Sequence, residues 1–148
     1  APRPPPPEAQ LVASGRFHDL GAIFASLNAR CFEGALRSAI TWGRAGCTVP
    51  RRSARRRGRA IRFGSYVSER DLIRIHPALD AAFVPRFFVE AIVFHEMLHA
   101  AIPVERGPDG RRRVHPPEFR RRERAFPGYV EARRFERANL ARLLASRR

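Results

Sequence analysis

Apolar positions follow two rhythms along this 148-residue chain. Phe17, Leu20, Ile23, Phe24, Leu27 and Cys31 recur at three and four residues, the spacing of one helix face, which predicts a helix over 16–32 closed by Gly34. Shorter runs follow. Residues 38–43 read as a strand from their β-branched and aromatic content. Residues 59–66 alternate with period two, and 72–76 give another strand after a turn over 68–71. Between the first two strands, 46–58 is a polar loop. Together the strands predict a small, mostly antiparallel sheet.

The rhythm changes at Arg86. From there to Ile102 nearly every side of a helix would be apolar, so the segment should be a buried helix of about five turns. Pro85 suits its first turn and Pro103 its stop. Gly107-Pro108-Asp109-Gly110 signals a turn. Pro116 and Pro117 open a third helix running to about Phe126, and Phe135, Ala138, Leu140, Leu143 and Leu144 line a last one over 130–144. Residues 1–15, with Pro2, Pro4, Pro5, Pro6 and Pro7, read as a Pro-rich extended arm, and 16–148 as a single domain. The fold class expected is α+β, a small sheet packed on the apolar helix, with helices at both ends.

That apolar helix carries His95-Glu96-Met97-Leu98-His99, an H-E-x-x-H motif. Residues four apart on a helix share a face, so two imidazoles can bind one Zn²⁺. Glu96 sits beside them, placed to take a proton from water at the metal. Polar groups in a buried helix are costly unless they are partnered, and a metal is such a partner.

A hydrolytic zinc takes three protein ligands and leaves one position for water. The pattern H-E-x-x-H-x-x-G-x-x-H fails here, with Ile102 where Gly is needed and Glu105 where His is needed. The remaining candidates are His115, Glu118, Glu123 and Glu131. His115 is preferred because it lies sixteen residues after His99, across a turn and at a helix start, on a path long enough to fold back. Glu118 or Glu123, from the following helix, is the alternative. His18 reads as a partly exposed histidine, and His76, before Pro77, as an extended residue.

Composition adds a second theme. The net charge is +15, and all 29 basic residues are arginine. Arginine without lysine fits a GC-rich codon bias, but that bias does not account for twice as many bases as acids. The excess points to a polyanion, of which nucleic acid is the usual one. The clusters are Arg51-Arg52, Arg55-Arg56-Arg57, Arg111-Arg112-Arg113 and Arg120-Arg121-Arg122, the last two flanking His115. Cys31 and Cys47 are too few for a disulfide framework or a four-cysteine ribbon and read as buried thiols. No apolar run is long enough to cross a membrane. No secretory signal is visible, which favours the cytoplasm, with a place at the nucleoid if nucleic acid is bound.

Several segments, in order, resemble the SprT-like zinc metallopeptidases, the family that includes the Spartan proteases. Leu27-Asn28-Ala29-Arg30-Cys31-Phe32-Glu33-Gly34-Ala35-Leu36 resembles the family's "LN…YF…G.L" signature, and Thr41-Trp42-Gly43 fits the strand after it. Ile73-Arg74-Ile75-His76-Pro77-Ala78-Leu79 is similar to "I.IN..L", with His76 where Asn is common. His95-Glu96-Met97-Leu98-His99-Ala100 is similar to "HEM.HA", and His115-Pro116-Pro117-Glu118-Phe119 to "HG..F", with Pro116 in place of Gly. The match spans about 17–124. The C-terminal zinc ribbon of many bacterial relatives is not present in this sequence.

The resemblance implies a zincin-like peptidase domain over 16–148, with Zn²⁺ on His95, His99 and His115 and Glu96 as the catalytic residue. It implies a protein or peptide substrate, and by likeness to Spartan, one bound to DNA. Peptides would lie extended along a strand edge beside the zinc helix. Tyr66, Tyr129, His18 or a nearby Arg could stabilise the oxyanion. The rival expectation is a nucleic-acid-binding or regulatory module with a closed, structural zinc completed by a fourth ligand such as Glu118, and a third is a fold with no metal.

Overall fold

The computed structural model describes residues 11–43 and 63–145. Helix α1 (Leu20–Cys31) leads into strand β1 (Ala39–Trp42); β2 (Gly64–Val67) and β3 (Leu72–Ile75) flank a single 3₁₀ turn, Ser68–Arg70. A second such turn, Pro77–Leu79, precedes the long helix α2 (Arg86–Ala101). A two-residue hairpin, β4 (Glu105–Arg106) with β5 (Arg112–Arg113), connects to α3 (Pro117–Ala125) and α4 (Tyr129–Ala145).

The chain is therefore α+β, but its main sheet is mixed rather than mostly antiparallel. The strand order is β1-β3-β2. β2 and β3 pair antiparallel, from Gly64 opposite Ile75 to Val67 opposite Leu72, as a tight turn requires. β1 lies parallel to β3 on its other side, from Ala39 beside Leu72 to Trp42 beside Ile75. Parallel pairing needs a long connection, which the chain between β1 and β3 supplies. Periodicity within a strand carries no information on the direction of its neighbour. The early part of the alternating stretch 59–66, the loop 46–58 with its five arginines, and Cys47 lie outside the described residues.

α1 starts four residues later than the pattern 16–32 suggests, because Asp80 takes the amides ahead of it. The Asp80 carboxylate accepts from the backbone N–H of Arg16, Phe17 and His18 at 2.7, 2.8 and 3.1 Å. Asp19 then caps the helix by accepting from the Ala22 N–H. At the other end, Asn28 ties the helix to the loop that follows it. Its side chain accepts from the Leu36 N–H at 3.1 Å and donates to the Leu36 carbonyl at 2.9 Å, holding the loop that turns through Gly34 at φ +72°.

Residues 11–15, assigned by composition to the arm, are docked on the fold. The Val12 N–H donates to Thr41 Oγ1 at 2.8 Å, and the Val12 carbonyl accepts from the Trp42 N–H at 2.8 Å. The arm's residues 1–10 lie outside the described residues.

α2 is the centre of the core. Phe88, Val89, Val93, Met97 and Leu98 are buried from Leu20, Ile23 and Leu27 of α1, Ile73 and Ile75 of β3, Phe119 of α3 and Leu143 of α4. Side chains of this size stabilise by roughly 1.5–3 kcal/mol each when fully buried. Helices and strands therefore meet α2 from several sides, and it holds its position while α3 docks beside it. No described helix is long and apolar enough to cross a membrane.

Candidate metal centre

His95 and His99 stand one turn apart on α2, as the motif requires, and His115 comes to them from the residue pair before α3. One nitrogen from each of the three lies within 4.8 Å of the others. His99 Nε2 and His115 Nε2 are 3.2 Å apart. The ring centroids are 5.0 Å apart for His95 and His99, 5.1 Å for His95 and His115, and 4.9 Å for His99 and His115. Nitrogens sharing a tetrahedral zinc at about 2.0–2.1 Å stand roughly 3.3 Å from each other. The His99–His115 separation already has that value, and the three side chains are close enough together to hold a metal ion.

Phe119 is the floor of the site. Its ring is fully buried and lies 5.0, 4.6 and 4.8 Å, centroid to centroid, from His95, His99 and His115. A ring touching all three histidines restricts their rotamers and keeps water from that side. Its place follows from the local sequence: Pro116 and Pro117 start the helix, and Phe119 is the first apolar residue on it.

One turn further along α3, Glu123 reaches the same site. Its Oε2 is hydrogen-bonded to His95 Nδ1. With Nδ1–H donating there, the His95 lone pair is on Nε2, the nitrogen left for a metal. Glu123, weighed as a third ligand, is thus placed behind His95. Burial acts to raise its carboxyl, but the His95 hydrogen bond and the charges of His95, His115 and Arg133 outweigh this and hold it below the ordinary carboxylate value.

The other carboxylates are elsewhere. Glu118 is exposed and 3.7 Å from the Arg121 guanidinium, and Glu131 is exposed in the first turn of α4. Among the described residues, the three histidines form the group able to hold a metal.

Glu96 is 5% exposed, facing β2. The approach there is close: a Cβ on Gly64 would lie 2.9 Å from Glu96 Cγ and 3.2 Å from its Oε1. Glycine at 64 lets the strand pass over the carboxylate, and no other residue does so without displacing it. Among the described residues β2 is the last strand on its side of the sheet, so this passage runs beside a strand that pairs with β3 alone among them.

The residues considered for oxyanion stabilisation separate. The Tyr66 hydroxyl donates to Asp71 Oδ1 at 2.7 Å, and Ser38 Oγ donates to the same oxygen at 2.6 Å. Burial, that hydrogen bond and the Asp71 charge push Tyr66 up to about 12, so its hydroxyl is committed to Asp71. His18 Nε2 is bonded to the Val84 carbonyl at 2.9 Å. Tyr129 is different. It lines a cavity with His95, Glu96 and Glu123, and Arg133 Nη1 donates to its hydroxyl at 3.3 Å. His76, for its part, caps the turn after β3, its Nδ1 accepting from the Ala78 N–H at 3.0 Å.

On the outer side of His115 the surface is basic. Arg113, Arg120, Arg121 and Arg124 line a recess that includes His115 and Pro117. The clusters within 51–57 lie outside the described residues.

Four positions around the site carry signals that are visible in retrospect. His115, Phe119 and Glu123 are four residues apart, a helix-face spacing. Gly64 interrupts an alternating strand, the usual mark of a close backbone approach. A scan against protein-family models gave no match, and neither did searches of curated proteins and of solved structures.

Proposed function

We propose that the chain is a zinc-dependent peptidase. The observation that carries this reading is the convergence of His95, His99 and His115 around one point, with Glu96 on the same helix. Three ligands are the complement of a hydrolytic zinc, whereas structural sites close with four. The carboxylates that could close this one are turned to other partners, Glu118 to Arg121 and Glu123 to His95. The order of motifs that resembles the SprT-like peptidases supports the same reading.

A zinc held by His95, His99 and His115 would supply Lewis acidity to a carbonyl and to water. Glu96 does the proton work: it accepts the proton from the attacking water and delivers it to the leaving amine. Burial against β2 keeps its carboxylate in one place. The substrate backbone lies extended along β2, hydrogen-bonding to the strand, beside the point where Gly64 passes over Glu96. Tyr129, which lines the same cavity as His95 and Glu96 and accepts from Arg133, is the proposed donor to the charge that develops on the carbonyl oxygen. Glu123 holds the tautomer and orientation of His95.

The arginine recess beside His115 supports a substrate brought to the site on nucleic acid, so that proteins bound to DNA are the proposed targets. Metal analysis with a cleavage assay on an unfolded protein tests the reading. About one zinc per chain, with hydrolysis that a chelator abolishes and zinc restores, is the expected result. Zinc without hydrolysis returns the site to a structural role.

A further inference from the structure

Behind His95 and Glu96 the fold leaves a cavity of about 250 Å³. Ligand pockets for whole small molecules run to about 300–1,000 Å³, so this one has the size of a side chain. Its walls are Phe63, Phe88, Ile92 and Phe126, with the two small residues Ala91 and Ala132 giving it width. The walls are held. Phe63 and Phe88 meet edge to face at 6.0 Å, and Phe126 stacks on Phe94 at 4.4 Å. Phe63 and Phe88 are 3% and 1% exposed, so the depth of the cavity is apolar. Its polar groups, beyond the site residues themselves, come from α4: Tyr129, Arg133 and Glu136.

We infer that this cavity is a specificity pocket that takes a large apolar side chain, aromatic or branched aliphatic, from the residue next to the cleaved bond. The inference rests on the peptidase reading and names the substrate class for it. Three features favour that occupant. The pocket is lined by His95, Glu96 and Gly64, the first residue of β2, so a chain lying along that strand runs beside the pocket. Its depth offers ring faces and methyl groups, where a charged side chain would lose hydration without a full set of partners. The rings are already packed in place, so an apolar side chain gains contacts without reordering the walls.

The test separates the pocket from the chemistry. The zinc-loaded full chain carrying Glu96→Gln is titrated with four acetylated, amidated pentapeptides, AAXAA, with X as Phe, Ala, Asp or Arg. The Phe peptide should bind at least about tenfold more tightly than the other three, the discrimination expected for burying one large apolar side chain. Ala91→Phe in the same background should erase that difference, with zinc content and thermal midpoint measured to show that it is folded. Phe126→Ala, which removes one wall, should reduce the difference as well. In the parent enzyme, cuts in a peptide mixture should fall at a fixed offset from an apolar residue. Equal binding of all four peptides, or tighter binding of the Arg or Asp peptide, overturns the inference. If the Phe peptide binds best and the parent cleaves nothing, the pocket stands and the peptidase reading falls.

Discussion

The carboxylate of Glu123 is hydrogen-bonded to Nδ1 of His95, joining α3 to α2 at one of the three clustered histidines. A ligand imidazole whose other nitrogen is held by a carboxylate is oriented and made more basic, and loss of that partner typically costs about 10–100-fold in metal affinity. Glu123→Ala should therefore weaken zinc binding by about that factor without abolishing it. Competition with a chelating indicator reads the change. If zinc binding is lost as completely as in His95→Ala, Glu123 is itself a ligand.

Gly64 is expected to be intolerant for a reason confined to Glu96. The added Cβ of Gly64→Ala would stand 2.9 Å from Glu96 Cγ and 3.2 Å from Ile92 Cγ2. Either the strand or the carboxylate must move. A catalytic group displaced by about 1 Å costs on the order of 10²-fold in rate. Zinc content should stay at the parent level, because the atoms nearest that Cβ belong to Glu96 and Ile92. Parent kcat/KM in a folded Gly64→Ala protein would show that Glu96 does not need its present position.

The alkaline titration offers a clean check of the sheet's polar network. The chain has no lysine, whose ordinary titration would overlap that of tyrosine. Tyr66 should ionise near pH 12, read as tyrosinate absorbance. The sign follows from the shift. Its folded pKa is above the unfolded value near 10, so the contribution to stability is complete below pH 10 and is lost as pH rises through about 12. Asp71→Asn removes the charge that holds the proton and should bring Tyr66 down. A Tyr66 that titrates in the ordinary range in the parent contradicts the Asp71 contact.

Nucleic acid should act on catalysis and not only on binding. Single-stranded DNA is expected to speed cleavage of a DNA-binding protein. Neutralising Arg113, Arg120, Arg121 and Arg124, which surround His115, should remove that stimulation and leave zinc in place. Salt dependence alone does not discriminate, because any basic surface releases counterions. Equal stimulation by heparin, or no effect of DNA on an active enzyme, leaves a general peptidase.

Much of this site could be read from the chain. His95 and His99 follow from helical spacing, and His115 from a path long enough to return; the structure brings all three together. The helix around them puts Phe88, Val89, Val93, Phe94, Met97 and Leu98 into the core, but it is not buried on every side: Phe87 is 40% exposed and His95 and His99 are partly exposed. Other features were not legible, for physical reasons. Parallel pairing of β1 with β3 depends on which side of β3 each strand docks, and no periodicity encodes that. The start of α1 is set by Asp80, some sixty residues away in sequence. Glu118, Glu123 and Glu131 are equivalent as composition, and only the docking of α3 on α2 shows that Glu123 serves His95 while the others face outward. Tyr66 and Tyr129 likewise separate only when their partners, Asp71 and Arg133, are in place.

The proposed function turns on Glu96. The most direct measurement is the rate at which zinc-loaded Glu96→Gln cleaves an unfolded protein substrate, compared with the zinc-loaded parent. Gln keeps the size of Glu96 and cannot take a proton, so the rate should fall by about 10²–10⁴-fold while zinc stays near one per chain. A Glu96→Gln protein that holds zinc and cleaves at the parent's rate would contradict the account.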